Sequence, residues 1–203
     1  MSDTVEIMRQ QIAELGAALY QRKLTDAAGG NISARVGDVM VMTPRYAGSR
    51  YLWRIKPEQV LVLDLEGHKL AGAGDISREI KVHRKLLTEF YPTGTAVIHA
   101  HALNILVFCA AQKPIPPVLD STEKFGEIKQ VPAAPAHSVE LAEYIAAAIR
   151  GQEERIQKQA AAVLAPRHGL FAIGKDLPST FDAVERIDGN AYCILFSRLL
   201  SDS

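Results

Sequence analysis

Apolar positions recur along this chain at two periods. Val5, Met8, Ile12, Leu15, Leu19 and Leu24 fall near a 3.6-residue spacing with charges between them, which predicts a helix over residues 4–24. From Asn31 the period drops to two. Asn31–Val36 and Val39–Thr43 alternate on either side of Gly37-Asp38, the pattern of a β-hairpin. Tyr46–Lys56 shows no period and is rich in Arg and aromatic residues. Val60–Asp64 reads as another strand, and His68 falls in the solvated loop after it. Glu79, His83, Leu86, Leu87 and Phe90 then lie on one helical face, with Ser77 as N-cap and Tyr91-Pro92 as the stop.

Ala96–His101 is a strand that runs from hydrocarbon into His-x-His, and an apolar helix over 102–111 follows. Pro114–Pro117 is a rigid connector. Residues 118–136 give weak signals, broken by Pro132 and Pro135. Ser138–Arg150 reads as a helix, and Gly151–Gln159 as a charged loop or helix tail. Ala160–Ala165 reads as a buried strand that is interrupted at Pro166–Gly169 and resumed by Leu170–Ile173. An amphipathic helix over 179–200 closes the chain. Strands and helices interleave through short turns, with no repeat and no linker. The expectation is one domain over residues 1–203, α/β in class, with a largely antiparallel sheet between helices.

Composition narrows the partners. The chain has 203 residues, 48% of them hydrophobic and 23% charged, with 23 basic residues balancing 23 acidic ones. There is no overall basic field to attract nucleic acid or an anionic membrane. No apolar run reaches the ~18 residues of a membrane span. The acidic, polar start is unlike a secretory signal. Cys109 and Cys193 lie in apolar patterns and read as free, buried thiols. These features point to a cytoplasmic protein.

The candidate chemistry begins at His99 and His101. Residues two apart on a strand share a face, so the two imidazoles stand side by side. His168 ends another apolar strand, and three imidazoles with an open position form a catalytic zinc arrangement. Three hydrogen-bonded core histidines are the competing reading, and the residues alone leave both open. Glu79 is a carboxylate on an inward helix face, costly to bury without a partner; the alternative is a first-turn Glu favoured by the helix dipole. His83, one turn on, reads as a structural hydrogen-bond partner. Gly29-Gly30 is a turn whose N–H groups can cradle an anion. Arg45, Arg50, Arg54 and Arg78 can each grip an anion bidentately, with solvated surface as the default for each.

Ordered blocks carry a resemblance. Gly30-Asn31-Ile32-Ser33-x-Arg35, Met42-Thr43-Pro44, Ser77-x-Glu79-x-x-x-His83, His99-x-His101 and Pro166-x-His168-Gly169 together resemble the class II aldolase/adducin family over residues 5–200. The resemblance implies a three-layer α/β/α fold, in a family of carbohydrate-metabolism lyases, epimerases and dehydratases. It implies His99, His101 and His168 as ligands of Zn2+ or another divalent ion, and Glu79 as the catalytic acid/base. Gly30, Asn31, Thr43, Ser77 and Arg78 fall at substrate-binding positions. A homotetramer with sites between subunits is implied as well.

By that resemblance the chain is a zinc-dependent aldolase-type lyase. It would cleave a C–C bond in a small hydroxy-ketone, a sugar phosphate or related acid, through a metal-stabilised enediolate. An epimerase, dehydratase or decarboxylase with the same metal site is the alternative. Glu at position 79 favours aldolase over epimerase, because the epimerases tend to carry Asp there. A non-enzymatic adducin-like interaction module is a further alternative, set against the complete ligand set. Two departures touch the family's phosphate pocket. Thr43-Pro44-Arg45-Tyr46-Ala47-Gly48 stands where Thr-Pro-Ser-Gly is usual, and Ser77-Arg78 where Ser-Ser is usual. The Tyr46–Lys56 segment, with Trp53, is expected to cover that pocket.

Overall fold

The computed structural model describes residues 2–201. Helix α1 (Asp3–Gln21) leads into the hairpin β1 (Asn31–Val36) and β2 (Val39–Met42). A short helix α2 (Ala47–Tyr51) precedes β3 (Leu61–Asp64), β4 (Lys69–Ala71) and α3 (Ile80–Glu89). Strand β5 (Ala96–Ala100), α4 (Leu103–Ala111), α5 (Val139–Ile149) and α6 (Glu153–Lys158) follow. The chain then enters β6 (Ala160–Ala165), β7 (Gly169–Gly174) and the long α7 (Leu177–Ser201). The seven strands form one sheet in the order β4-β3-β2-β1-β5-β7-β6. Every neighbouring pair is antiparallel, as the short turns predict.

Strand alternation divides the core into two layers. Ile98, Leu170 and Ala172 face α1, α4 and α7 through Ile12, Ile105 and Val184. Val97, Phe171 and Ile173 face α3, α5 and α6 through Leu86, Ile145 and Ile156. The sheet is thus filled on both sides, and the architecture is α/β/α. Because 97 and 99 share a face, His99 of β5 lies on the side of α3 and α5, with His101 just past the strand's end. No helix among the described residues is long and apolar enough to cross a membrane. Both cysteines are free, and burial pushes the Cys109 thiol up to about 12, so it stays protonated.

Four expectations change. Ala160–Ile173 is not one interrupted strand: Pro166–His168 turns the chain back, and β6 and β7 pair residue for residue from Ala160↔Gly174 to Ala165↔Gly169. Of the segment expected to cover the pocket, Tyr46, Ala47, Gly48 and Ser49 line the site cavity, but Trp53 does not. It is fully buried, and its Nε1 donates to Asp26 O at 2.9 Å. The residue entering α3 is Glu79 rather than Ser77, whose Oγ instead accepts from the Glu79 N–H at 3.2 Å. Residues 118–136, read as short strands at best, hold a 3-10 turn (Asp120–Phe125) and two isolated bridges, Ile128 to Ile115 and Gln130 to Leu164. The long α7 organises this stretch. Asn190 accepts from Val118 N and Leu119 N at 2.8 and 3.2 Å, and donates to Pro116 O at 2.8 Å.

Candidate metal and acid–base site

The site forms where β1, β5 and β7 come together. Register places Asn31 and Phe171 on either side of His99. The His99 ring is buried and stacks on Phe171 at 4.1 Å with 9° between planes. Its Nδ1–H donates to Leu170 O at 2.9 Å, which fixes the tautomer and leaves Nε2 as the free donor atom. That atom lies 3.1 Å from His101 Nε2. His168 comes from the β6–β7 turn, whose Arg167 N–H donates to Cys109 O at 2.9 Å and anchors the turn to α4. One donor nitrogen from each of His99, His101 and His168 lies within 4.8 Å of the others.

These residues fit a divalent cation. Burial holds His99 well below the ordinary imidazole range and lowers His101, so both are neutral donors at pH 7. The other nitrogen of His101 lies 3.4 Å from Asp26 Oδ1, the carboxylate–histidine arrangement that orients metal ligands. The same Oδ1 accepts from Ala28 N and Gly29 N, each at 2.8 Å, and so ties the glycine turn to the cluster. The close approach also needs small residues. A Cβ on Gly29 would lie 1.9 Å from His101 Cε1. One on Gly169 would lie 2.6 Å from Ala100 O and 3.0 Å from both the His99 and His101 rings.

Glu79 completes the cluster. Its side chain is 4% exposed, and neither carboxylate oxygen accepts an aligned hydrogen bond. Oε1 lies 3.1 Å from His168 Nε2 and 2.7 Å from His137 Nδ1. Burial alone would raise this carboxyl, but the contact with His168 and the neighbouring His99, His168 and His137 hold it at about 2. A buried, ionised carboxylate with no aligned hydrogen bond, beside three convergent imidazoles, is a donor set that a cation completes.

The other candidates separate. His83 lies outside the cluster, fully buried, with Nδ1 2.6 Å from Ser33 Oγ and Nε2 against Asn31 Oδ1. Asn31 Nδ2 in turn donates to Ser77 Oγ at 3.4 Å, linking β1 to the entry of α3. Gly30, Asn31, Ser77 and Arg78 line one cavity of about 270 Å³ with Glu79 and the three histidines. Thr43 does not. It is fully buried, and its hydroxyl accepts from Ile32 N at 3.1 Å. Arg45 is not solvated surface: it lines the cavity, its Nε is buried without a hydrogen-bond partner, and its guanidinium lies 4.5 Å from the Tyr46 ring.

Sequence reasoning missed two site residues, Asp26 and His137. The first has no motif around it. The second sits in Pro135-Ala136-His137-Ser138, where the Pro signals a turn but nothing locates its spatial neighbours.

Residues 10–195 match the family described as Class II Aldolase and Adducin N-terminal domain. The chain belongs to this family. An L-fuculose phosphate aldolase of Methanococcus maripaludis is 26% identical over 84% of this chain and 86% of its own. A 3-oxo-tetronate 4-phosphate decarboxylase of Haemophilus influenzae is 26% identical over 90% of this chain and 84% of its own. A solved L-fuculose 1-phosphate aldolase superposes with a TM-score of 0.82 over 98% of this chain and 89% of that one, at 24% identity. Aldolases, decarboxylases and dehydratases all occur among the relatives.

Proposed function

We propose that this protein is a zinc-dependent aldolase-type lyase that cleaves a C–C bond in a small, anionic hydroxy-ketone. One observation carries the reading: an ionised, buried carboxylate with no aligned hydrogen bond stands beside three convergent imidazoles on the wall of one cavity. His99, His101 and His168 would hold the ion, and an all-imidazole set suits zinc. When bound, the ion supplies a Lewis acid that draws negative charge onto the substrate's oxygens as the bond breaks. Glu79 takes a proton from the substrate at its carboxylate and returns it to the product. Gly30, Asn31, Ser77 and Arg78 bind the substrate, with Arg78 on its anionic end and the buried Nε of Arg45 directed to the same charge. Thr43 acts at one remove, by fixing the backbone of Ile32.

The phosphate in the relatives' names supports a phosphorylated substrate. A cytoplasmic homotetramer, single-domain over residues 1–203, belongs to the same reading. Decarboxylation is the second reading. Arg45 and Arg78 at one cavity suit a carboxylate beside a phosphate, and a relative of that name matches over 90% of the chain.

The test is a zinc-restored assay of ketose 1-phosphates and 3-oxo acid 4-phosphates. Aldehyde release that falls by about 10³ in Glu79→Gln is expected. Carbon dioxide release would favour the second reading, and no product from any compound would contradict both.

A further inference from the structure

His137 is the fourth imidazole of the cavity, and nothing in the family motifs assigns it. It arrives on a tight turn in which Ser138 N–H donates to Pro135 O at 3.2 Å. His137 is the third residue of that turn, at φ 66°, where a turn of this hand favours Gly or Asn. The turn is held from the far side as well. The Ser138 side chain accepts from Leu141 N at 2.9 Å and caps α5. The chain thus maintains an imidazole on left-handed backbone at the cavity wall. Nδ1 of that imidazole is buried, makes no aligned hydrogen bond, and lies 2.7 Å from Glu79 Oε1. The rest of the ring is partly exposed. Strained backbone that places a polar atom against a reactive carboxylate is the pattern of a functional constraint.

We infer that His137 is a positioning residue for Glu79: the close approach of its Nδ1 to Oε1 holds the carboxylate at the edge of the histidine cluster, turned into the cavity. This rests on the proposed acid/base role of Glu79. His168 approaches the same oxygen at 3.1 Å, so His137 supplies the second contact that defines where the oxygen lies. Without it only the His168 contact fixes the carboxylate, which is then free to turn about that contact, and proton transfer loses its geometry while substrate binding does not.

Two variants isolate the contact from the backbone. His137→Gly and His137→Asn both accept φ 66°, so both are expected to keep the wild-type melting temperature to within about 2 °C. Asn places an amide N–H where Nδ1 stands, and Gly places nothing. The expected result is a kcat lowered about 10- to 100-fold in His137→Gly with KM within about twofold, and recovery of most of that loss in His137→Asn. Equal kcat in wild type and His137→Gly would overturn the inference, as would equal losses in the two variants. Imidazole ¹⁵N spectra test the contact without any substrate. A protonated Nδ1 on His137 that changes in Glu79→Gln supports it, and a spectrum indifferent to that change overturns it. Wild-type inactivity across the substrate panel would instead count against the lyase reading, with the spectra still deciding the contact.

Discussion

Asp26 joins two parts of the site through one carboxylate oxygen, which approaches His101 Nδ1 at 3.4 Å and accepts from Ala28 and Gly29 at 2.8 Å. Asp26→Asn keeps the size but removes the charge that orients the imidazole. Its zinc affinity, measured by chelator competition, is expected to fall about 10- to 100-fold with little change in fold. Gly169→Ala should be harsher. Its Cβ would meet the Ala100 carbonyl at 2.6 Å and the His99 and His101 rings at 3.0 Å, so loss of zinc uptake is expected by the same titration. The legibility of these residues differs for a physical reason. His99 and His101 are readable because strand period places them on one face. His168 is readable because it ends an apolar run before a glycine. Asp26 and His137 act through space from loops, where no period links a residue to its neighbours. Thr43 shows the converse: the family block is present, but the hydroxyl is engaged by Ile32.

Helix α4 begins directly after His101 and has no side-chain cap of its own at Ala102. Asp188 of α7 supplies one across space, its Oδ1 accepting from Asn104 N at 3.1 Å and Ile105 N at 3.2 Å. Asp188→Ala is therefore expected to cost about 1–2 kcal/mol in urea unfolding, as cap removal does. Helix α1 gives a test of packing against propensity. Alanine is favoured over glycine inside a helix by about 1 kcal/mol. At Gly16, however, a Cβ would lie 2.9 Å from Cε3 of the fully buried Trp53. Gly16→Ala is expected to destabilise by about 1–2 kcal/mol, and a stabilised variant would show that the indole can move aside. The elements themselves were legible wherever one face is polar, as in α1, α3 and the β1–β2 hairpin. Strands β6 and β7 are buried along their whole length, so no alternation marks where one ends and the next turns back. The five-residue α2 is too short for a helical period to register.

A buried polar link within one apolar layer contributes to the response of the whole molecule to acid. His83 joins Ser33 and Asn31 of β1 to α3 in the layer that holds the site. Burial lowers its folded pKa from the ordinary 6.5 to about 4, against a smaller opposing pull from Glu79. The unfolded chain therefore binds a proton between these values that the folded chain does not. Stability from this group is complete above about pH 6.5 and lost progressively toward pH 4, a total of roughly 3 kcal/mol. Urea midpoints measured between pH 7 and 4 should fall accordingly, and less steeply in His83→Gln. Zinc content after chelator treatment and reloading decides whether His99, His101 and His168 form one metal centre. One zinc per chain in the wild type, lost in both His99→Ala and His168→Ala, is the predicted result. No uptake by the wild type, or uptake undiminished in the variants, would contradict it.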